Sequence, residues 1–451
     1  MVMARNGVPV WPLLAVTLAT GCQKAPTPAA RTAKPAAEAP RVAGPLTADE
    51  SKDLCLADPG GADPLDQALR SHQKKARELP MKSDEWVGVG QQWVRKARLA
   101  SDPGFYVHVD GCAAVALQAE PNFAPALELQ SLVLMNDHKF DHARQVAEDI
   151  LRREPEDVIA LGTLSDALLE LGRYDEAAQA AQRQMSVRPG MAAYSRGSYV
   201  RWLKGDDRNA KIFIRDALYG RDARDPEPAA WTFVEAATIF WHLADYDGAD
   251  AVYAEALRWV PAYPSALVGR ARIAMAKEQP RRAIEYLDQA YRMRPLPETA
   301  WLLGDALEML GDAAAAREAY ERVVQQGRRG DRLTLALFYA VKNRHVDEAL
   351  RLIEEERAVR GGIHVDDAYA WALYRSGRMA EARKASARAI RLGTKEARLL
   401  YHAGAIHIAS GDAAGGRKLV RQALTLNPHF DWTGAAEARA LLDAKPKMAT
   451  N

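Results

Sequence analysis

The chain has 451 residues, 48% hydrophobic and 27% charged, the proportions of an ordinary folded protein rather than a disordered or low-complexity one. Its 61 Lys and Arg against 59 Asp and Glu leave a net charge of +2, which argues against a general nucleic-acid binder, for which a strongly basic domain is expected. At this length several compact domains could form, unless a repeat removes the need for them.

Arg5 precedes an apolar run from Val8 to Leu18, followed by Ala19-Thr20-Gly21-Cys22. The run carries Pro9 and Pro12 and is shorter than the roughly 20 apolar residues that span a bilayer, so residues 1–21 read as a signal peptide. Gly21-Cys22 after small residues resembles the bacterial lipoprotein processing site, although Ala19 stands where leucine is usual. The resemblance implies that Cys22 is lipidated and becomes the new N-terminus; a plain secretory signal cut nearby is the alternative. From Gln23 to Pro45 the composition shifts to Ala, Pro and Lys, with too little bulky apolar surface to fold, so residues 22–46 are expected to form an extended tether. Gln23 and Lys24 lack the aspartate that resembles an inner-membrane retention signal, so the expected site is the outer membrane, facing the periplasm. In that oxidising compartment Cys55 and Cys112 either pair or remain two unrelated buried thiols, and spacing alone does not decide.

Further along, Ala143, Ala177, Ala210, Ala249, Ala283, Ala316, Ala349 and Ala382 follow one another at strides of 34, 33, 39, 34, 33, 33 and 33 residues. Shortly before each comes a turn, as in Leu171-Gly172-Arg173, Lys204-Gly205-Asp206-Asp207 and Ser376-Gly377-Arg378. Glycine there ends one helix in the left-handed conformation and Asp caps the next. After each alanine a proline often stops the second helix, as at Pro155, Pro189, Pro261 and Pro295. Between turn and stop the apolar residues have helical spacing: Leu267, Ala271 and Ala274 on a first helix, Ala283, Leu287 and Ala290 on a second. A fixed period of this size means stacked supersecondary units, a solenoid, rather than one globular core.

Ala300-Trp301-Leu302-Leu303-Gly304, followed by Gly311, Ala316 and Tyr320, resembles the tetratricopeptide repeat family, and so does Asp175-Glu176-Ala177. The resemblance implies an all-α, right-handed α-solenoid of about ten helix–turn–helix units over residues 90–430. Registered on the alanines, the units start near 90, 124, 158, 191, 230, 264, 297, 330, 363 and 397. The long stride holds Arg221–Pro228, read as an inserted loop. Residues 47–89 are expected as an N-terminal helical cap and 431–451 as a C-terminal capping helix and tail, because terminal units need a polar outer face. A Cys55–Cys112 bridge would pin that N-terminal segment to the second helix of the first unit.

In the family the first helix of each unit lines the concave groove. Carrying its groove positions onto this chain picks out Tyr199, Trp202, Trp231, Trp241, His242, Arg272, Trp301, Phe338, Trp371, Tyr374, Arg375 and Tyr401, with Asp166, Asp305, Lys342 and Asp367 as polar neighbours. Aromatic residues and arginine anchor interfaces, while packing against a neighbouring helix is the competing role for each ring. Trp371, Tyr374 and Arg375 share one face by spacings of three and four, a place for an extended peptide or partner helix. The asparagine ladder and the Lys, Asn and Arg clamp of some family members are not visible.

The search for chemistry yields little. His138 and His142 are four apart, but His138 falls in a turn and no third ligand is evident. His402 and His407 read as packing or groove residues. No nucleophile elbow and no phosphate-binding glycine loop appears. No catalytic residue, metal site or cofactor is therefore expected. The expected function is a non-enzymatic scaffold, a membrane-tethered periplasmic lipoprotein that binds a protein or peptide partner in its groove and takes part in envelope assembly, secretion or a surface complex. An accessory or substrate-recruiting subunit of an enzyme complex is the alternative, which a concave cluster of carboxylates and histidines with shifted titration would favour; the sequence shows no such cluster. A soluble cytoplasmic adaptor follows if the leader is misread.

Overall fold

The computed structural model describes residues 46–100 and 102–444, which belong to one compact unit bounded by Val42–Asn451. The candidate leader (1–21), Cys22, the tether up to Pro45 and the tail from 445 lie outside the described residues.

Among the described residues the chain forms helices and no strand. Two come first, α1 (Ala48–Cys55) and α2 (Pro64–Glu78). The next ten are α3 (Ser83–Ala100), α4 (Tyr106–Ala119), α5 (Ala124–Asn136), α6 (Phe140–Arg153), α7 (Val158–Glu170), α8 (Tyr174–Val187), α9 (Met191–Leu203), α10 (Asp207–Tyr219), α11 (Pro226–His242) and α12 (Tyr246–Trp259). Then follow α13 (Pro264–Ala276), α14 (Pro280–Met293), α15 (Pro297–Leu310), α16 (Ala313–Arg329), α17 (Arg332–Val341), α18 (Val346–Val359), α19 (Ile363–Arg375), α20 (Met379–Ala389), α21 (Ala397–Ala409), α22 (Ala413–Leu426) and α23 (Trp432–Asp443). From α3/α4 to α21/α22 these make ten helix hairpins, an all-α solenoid.

The stride alanines sit on the second helices from α6 to α20, and each is at most 1% exposed. A methyl group at that contact lets the second helix lie close on its partner, since side-chain size there sets the interaxial distance. Gly304 plays the reciprocal part on α15: a Cβ there would lie 2.2 Å from the Tyr320 ring, so only glycine admits that ring. The first hairpin begins at Ser83 instead of near 90. Of Arg221–Pro228, Arg221 to Asp225 form the expected loop between α10 and α11, and the last three residues are helical. Pro226 to Pro228 form the first turn of α11, which has 17 residues where α9 and α13 have 13, because proline is pre-set for a helix start.

Each first helix from α3 onward packs on the first helix of the next unit, whereas second helices make no comparable contact with one another. First helices therefore take the inner, shorter radius. Near the start, a disulfide joins Cys55 of α1 to Cys112 of α4, and Trp93 donates its indole N–H to the Cys55 carbonyl at 3.0 Å.

The array also closes on itself. Stacked hairpins leave all their internal turns on one edge and all their connecting loops on the other. Here the two edges meet, five to six units apart. Gly361 N–H donates to the Glu170 carbonyl and Ile363 N–H to the Tyr174 hydroxyl, each at 2.8 Å. The Thr394 hydroxyl donates to the Leu203 carbonyl, and Lys395 pairs with Asp207. Buried Asn427 donates to the Trp241 carbonyl at 2.8 Å and accepts from the Tyr246 hydroxyl at 2.6 Å. Tyr174, Leu203, Ile363 and Leu399 form an apolar cluster across this seam.

Candidate partner-binding groove

The groove residues divide by burial. Trp202, Trp241, Phe338, Trp371 and Tyr401 are buried and offer no surface to a partner, which corrects the expectation for all five. The reason is curvature: at the inner radius the first helices crowd, and their rings fill the space between them. Trp202 stacks on His242 at 5.2 Å, Phe338 meets Trp301 edge-on at 5.4 Å, and Trp371 stacks on His402 at 3.9 Å.

The Trp371, Tyr374 and Arg375 face is occupied by the chain's own last helix. Glu437 of α23 takes Arg375 at 3.2 Å and accepts from the Tyr401 hydroxyl, while the Arg375 guanidinium lies 4.7 Å from the Trp371 ring centre. Tyr374, Tyr401, Ala405, Glu437, Ala440 and Leu441 line a cavity of about 280 Å³ beside it.

Ion pairs bridge successive first helices around the inner wall. Asp166 of α7 holds Arg196 of α9 at 2.8 Å, Arg272 of α13 pairs with Glu298 of α15, and Asp305 of α15 holds Lys342, the residue that ends α17, at 2.8 Å. Such pairs fix neighbouring helices and neutralise charges that a groove would otherwise present. Asp305 is so enclosed that burial outweighs Lys342 and pushes its carboxyl up to about 6.

One constellation was not visible in the sequence. Glu396, beside the seam, accepts from His364 at 2.9 Å and feels His242 and Arg398. Burial works to raise the Glu396 carboxyl, but those cationic neighbours prevail and hold it well below the usual range. Burial likewise works against the His364 imidazolium, and Glu396 prevails, so its pKa is raised. His242, with the same surroundings but no hydrogen-bonded partner in this cluster, is pushed by burial down to about 4. A second pair, His402 with Asp367 at 3.0 Å, is fully buried and open to no substrate. These partners come from loops and helices far apart in sequence, so no local motif could announce them. Among the described residues, no three His, Cys, Asp or Glu side chains converge as a metal site, and no helix is long and apolar enough to cross a membrane.

Of the expected groove rings, Tyr199 of α9 and Trp231 of α11 stay exposed, with 39% and 43% of their surfaces open. Partial burial raises the Tyr199 phenol pKa, with the charges of Glu396, Glu235 and Glu170 adding to it.

A tetratricopeptide repeat model matches residues 129–185, 234–296 and 268–331. No curated protein matches the chain. Among solved structures, it is similar to the human IFIT1 dimer with PPP-AAAA, at 14% identity and a TM-score of 0.47, over 85% of this chain and 95% of that one. It is also similar to PilW, a type IV pilus biogenesis factor, at 16% identity and a TM-score of 0.39, over 46% and 95% of the two chains. The APC/C hetero-tetramer Cut9–Hcn1 is similar at 12% identity and a TM-score of 0.37, over 87% and 100%.

Proposed function

We propose that this chain is a non-enzymatic scaffold that holds a protein segment against the inner wall of its repeat array, tethered through Cys22 as a periplasmic lipoprotein of the outer membrane. The observation that carries the reading is the pair of open aromatic side chains, Tyr199 and Trp231, on an inner wall where Trp202, Trp241, Phe338, Trp371 and Tyr401 are buried in packing. Rings that bury large area at low entropy cost are what an interface uses as anchors. The Cys55–Cys112 disulfide supports an oxidising compartment, where such bonds persist.

Photo-crosslinking residues at positions 199 and 231, compared in intact cells with positions 219 and 293 on the second helices, test the groove. Adducts arising from 199 and 231 are expected; adducts confined to 219 and 293 overturn the reading. Labelled palmitate should enter the wild-type chain and not Cys22→Ser. A wild-type chain left unlabelled, under conditions that label a known lipoprotein, removes the anchor.

A further inference from the structure

Each first helix from α3 to α21 packs against the second helix of its own hairpin, whereas α23 has no such partner among the described residues. It rests on α21 and α22, and Arg417 of α22 holds its end by donating to the Leu442 carbonyl at 2.7 Å and to that of Ala444. Of its residues only Gly434, Ala435 and Ala438 are buried; the larger Trp432, Leu441 and Leu442 stay partly in water. Glu437, Ala440 and Leu441 follow at spacings of three and four and share one face. Glu437 pairs with Arg375, yet beside it the fit fails: the cavity of about 280 Å³ is lined by Ala440 and Leu441 of α23 and by Tyr374, Tyr401 and Ala405 of the wall. A cavity of about 150 Å³ takes a benzene molecule, so this one has room for an aromatic side chain. The Trp371 indole N–H and the Arg375 Nε–H also meet no acceptor among the described residues, so α23 satisfies this face only in part.

We propose that α23 is a resident stand-in on a helix-binding site: the face of α19 and α21 beneath it takes a partner helix that carries a glutamate or aspartate and, three residues later, an aromatic side chain. The inference deepens the scaffold reading and rests on it for the existence of a protein partner. The incoming carboxylate takes the place of Glu437 on Arg375 and the Tyr401 hydroxyl, bonds that charge makes stronger than neutral ones. The aromatic ring fills the cavity that Ala440 leaves beside Tyr374 and Tyr401. That second contact is needed, because the tethered α23 competes at an effective concentration of about millimolar. A basic helix would meet the uncovered Arg375 and be repelled. A small side chain at the place of Ala440 would gain nothing over α23 itself.

The test is fluorescence anisotropy of the full chain with a labelled peptide that has the sequence of residues 431–444 and carries Ala440→Phe. Glu437→Gln in the chain loosens the resident helix and should strengthen peptide binding about tenfold over wild type. Ala440→Phe in the chain lets that helix fill the cavity itself and should weaken binding about tenfold. Glu437→Gln in the peptide should also cost about tenfold. Thermal melts confirm that both chain variants fold, as the half-buried Glu437 and exposed Ala440 lead one to expect. Equal affinity for the three chains, no binding to any of them, or indifference to the peptide's glutamate overturns the proposal. So does light scattering that shows a wild-type dimer dissociated by the peptide, since the face then belongs to a second copy. If the peptide fails while crosslinks from 199 and 231 persist, the scaffold reading stands and this site falls. If the peptide behaves as expected while those crosslinks are absent, this site stands and the two open rings lose their role.

Discussion

Glycines that end first helices allow the seam to be tested by matched substitutions. Gly205 and Gly377 both take left-handed backbone, with φ of +73° and +79°. Alanine costs about 1 kcal/mol at either, through the same backbone strain. Their surroundings differ. Nothing lies within 4 Å of a Cβ at Gly377, whereas a Cβ at Gly205 would lie 2.4 Å from the Gly393 carbonyl oxygen on the opposing edge. That atom belongs to backbone and cannot rotate away, so the edges must part locally. Parting breaks the hydrogen bond from Thr394 to Leu203 and the half-exposed Lys395–Asp207 pair. The first is worth about 1 kcal/mol and the second up to about 1, so Gly205→Ala should cost about 2 kcal/mol more than Gly377→Ala. Native-state hydrogen exchange reads this locally, and about 2 kcal/mol corresponds to roughly thirty-fold faster exchange of amides at 203–207 and 393–396. If the two variants exchange alike in those segments, the edges are not held together as described.

Removing the Cys55–Cys112 bridge should destabilise the N-terminal hairpins by about 4 kcal/mol, the chain-entropy value for its sequence separation of 57, read as an earlier urea transition of the Cys55→Ser/Cys112→Ser chain. Trp371→Ala should cost about 3–5 kcal/mol, because the ring is 1% exposed and wedged between His402 and Arg375; a normal melt would contradict that packing. Stability at the seam should also depend on pH. The raised pKa of His364 means that its pairing helps fully below pH 6.5 and is lost as pH climbs through the raised value. The depressed pKa of Glu396 means that its share is present above pH 4.5 and lost only as pH falls through the lower folded value. His242, lowered to about 4, acts in the opposite sense, because the unfolded chain takes up that proton first and stability declines from pH 6.5 downward. Seam amides, compared after correction for intrinsic exchange, should therefore be best protected near pH 6.5, and His364→Gln should flatten the alkaline limb. An unchanged alkaline limb in that variant would show that the pair does not hold the seam.

The hairpins were legible because their signals are local. A buried alanine every 33 or 34 residues, glycine at the turns and proline at the stops specify which helix follows which, and the start near 124 coincides with α5 at Ala124. The long stride also marked the loop at Arg221–Pro228, which ends three residues early because its prolines open α11 instead of preceding it. Which rings a partner can reach was not legible. Trp202, Trp231 and Trp241 carry the same side chain on first helices, yet only Trp231 stays open, because the tightness of curvature decides which faces crowd together.

The repeat period by itself determined the units, since each hairpin contacts mainly its neighbours and is specified by its own residues. Only the tertiary structure decided that the array winds far enough for its edges to join. Closure sums the small rotation of every unit, and no single repeat carries that sum. The contacts it creates, from Glu170 with Gly361 to Trp241 with Asn427, link residues more than 180 apart in the chain.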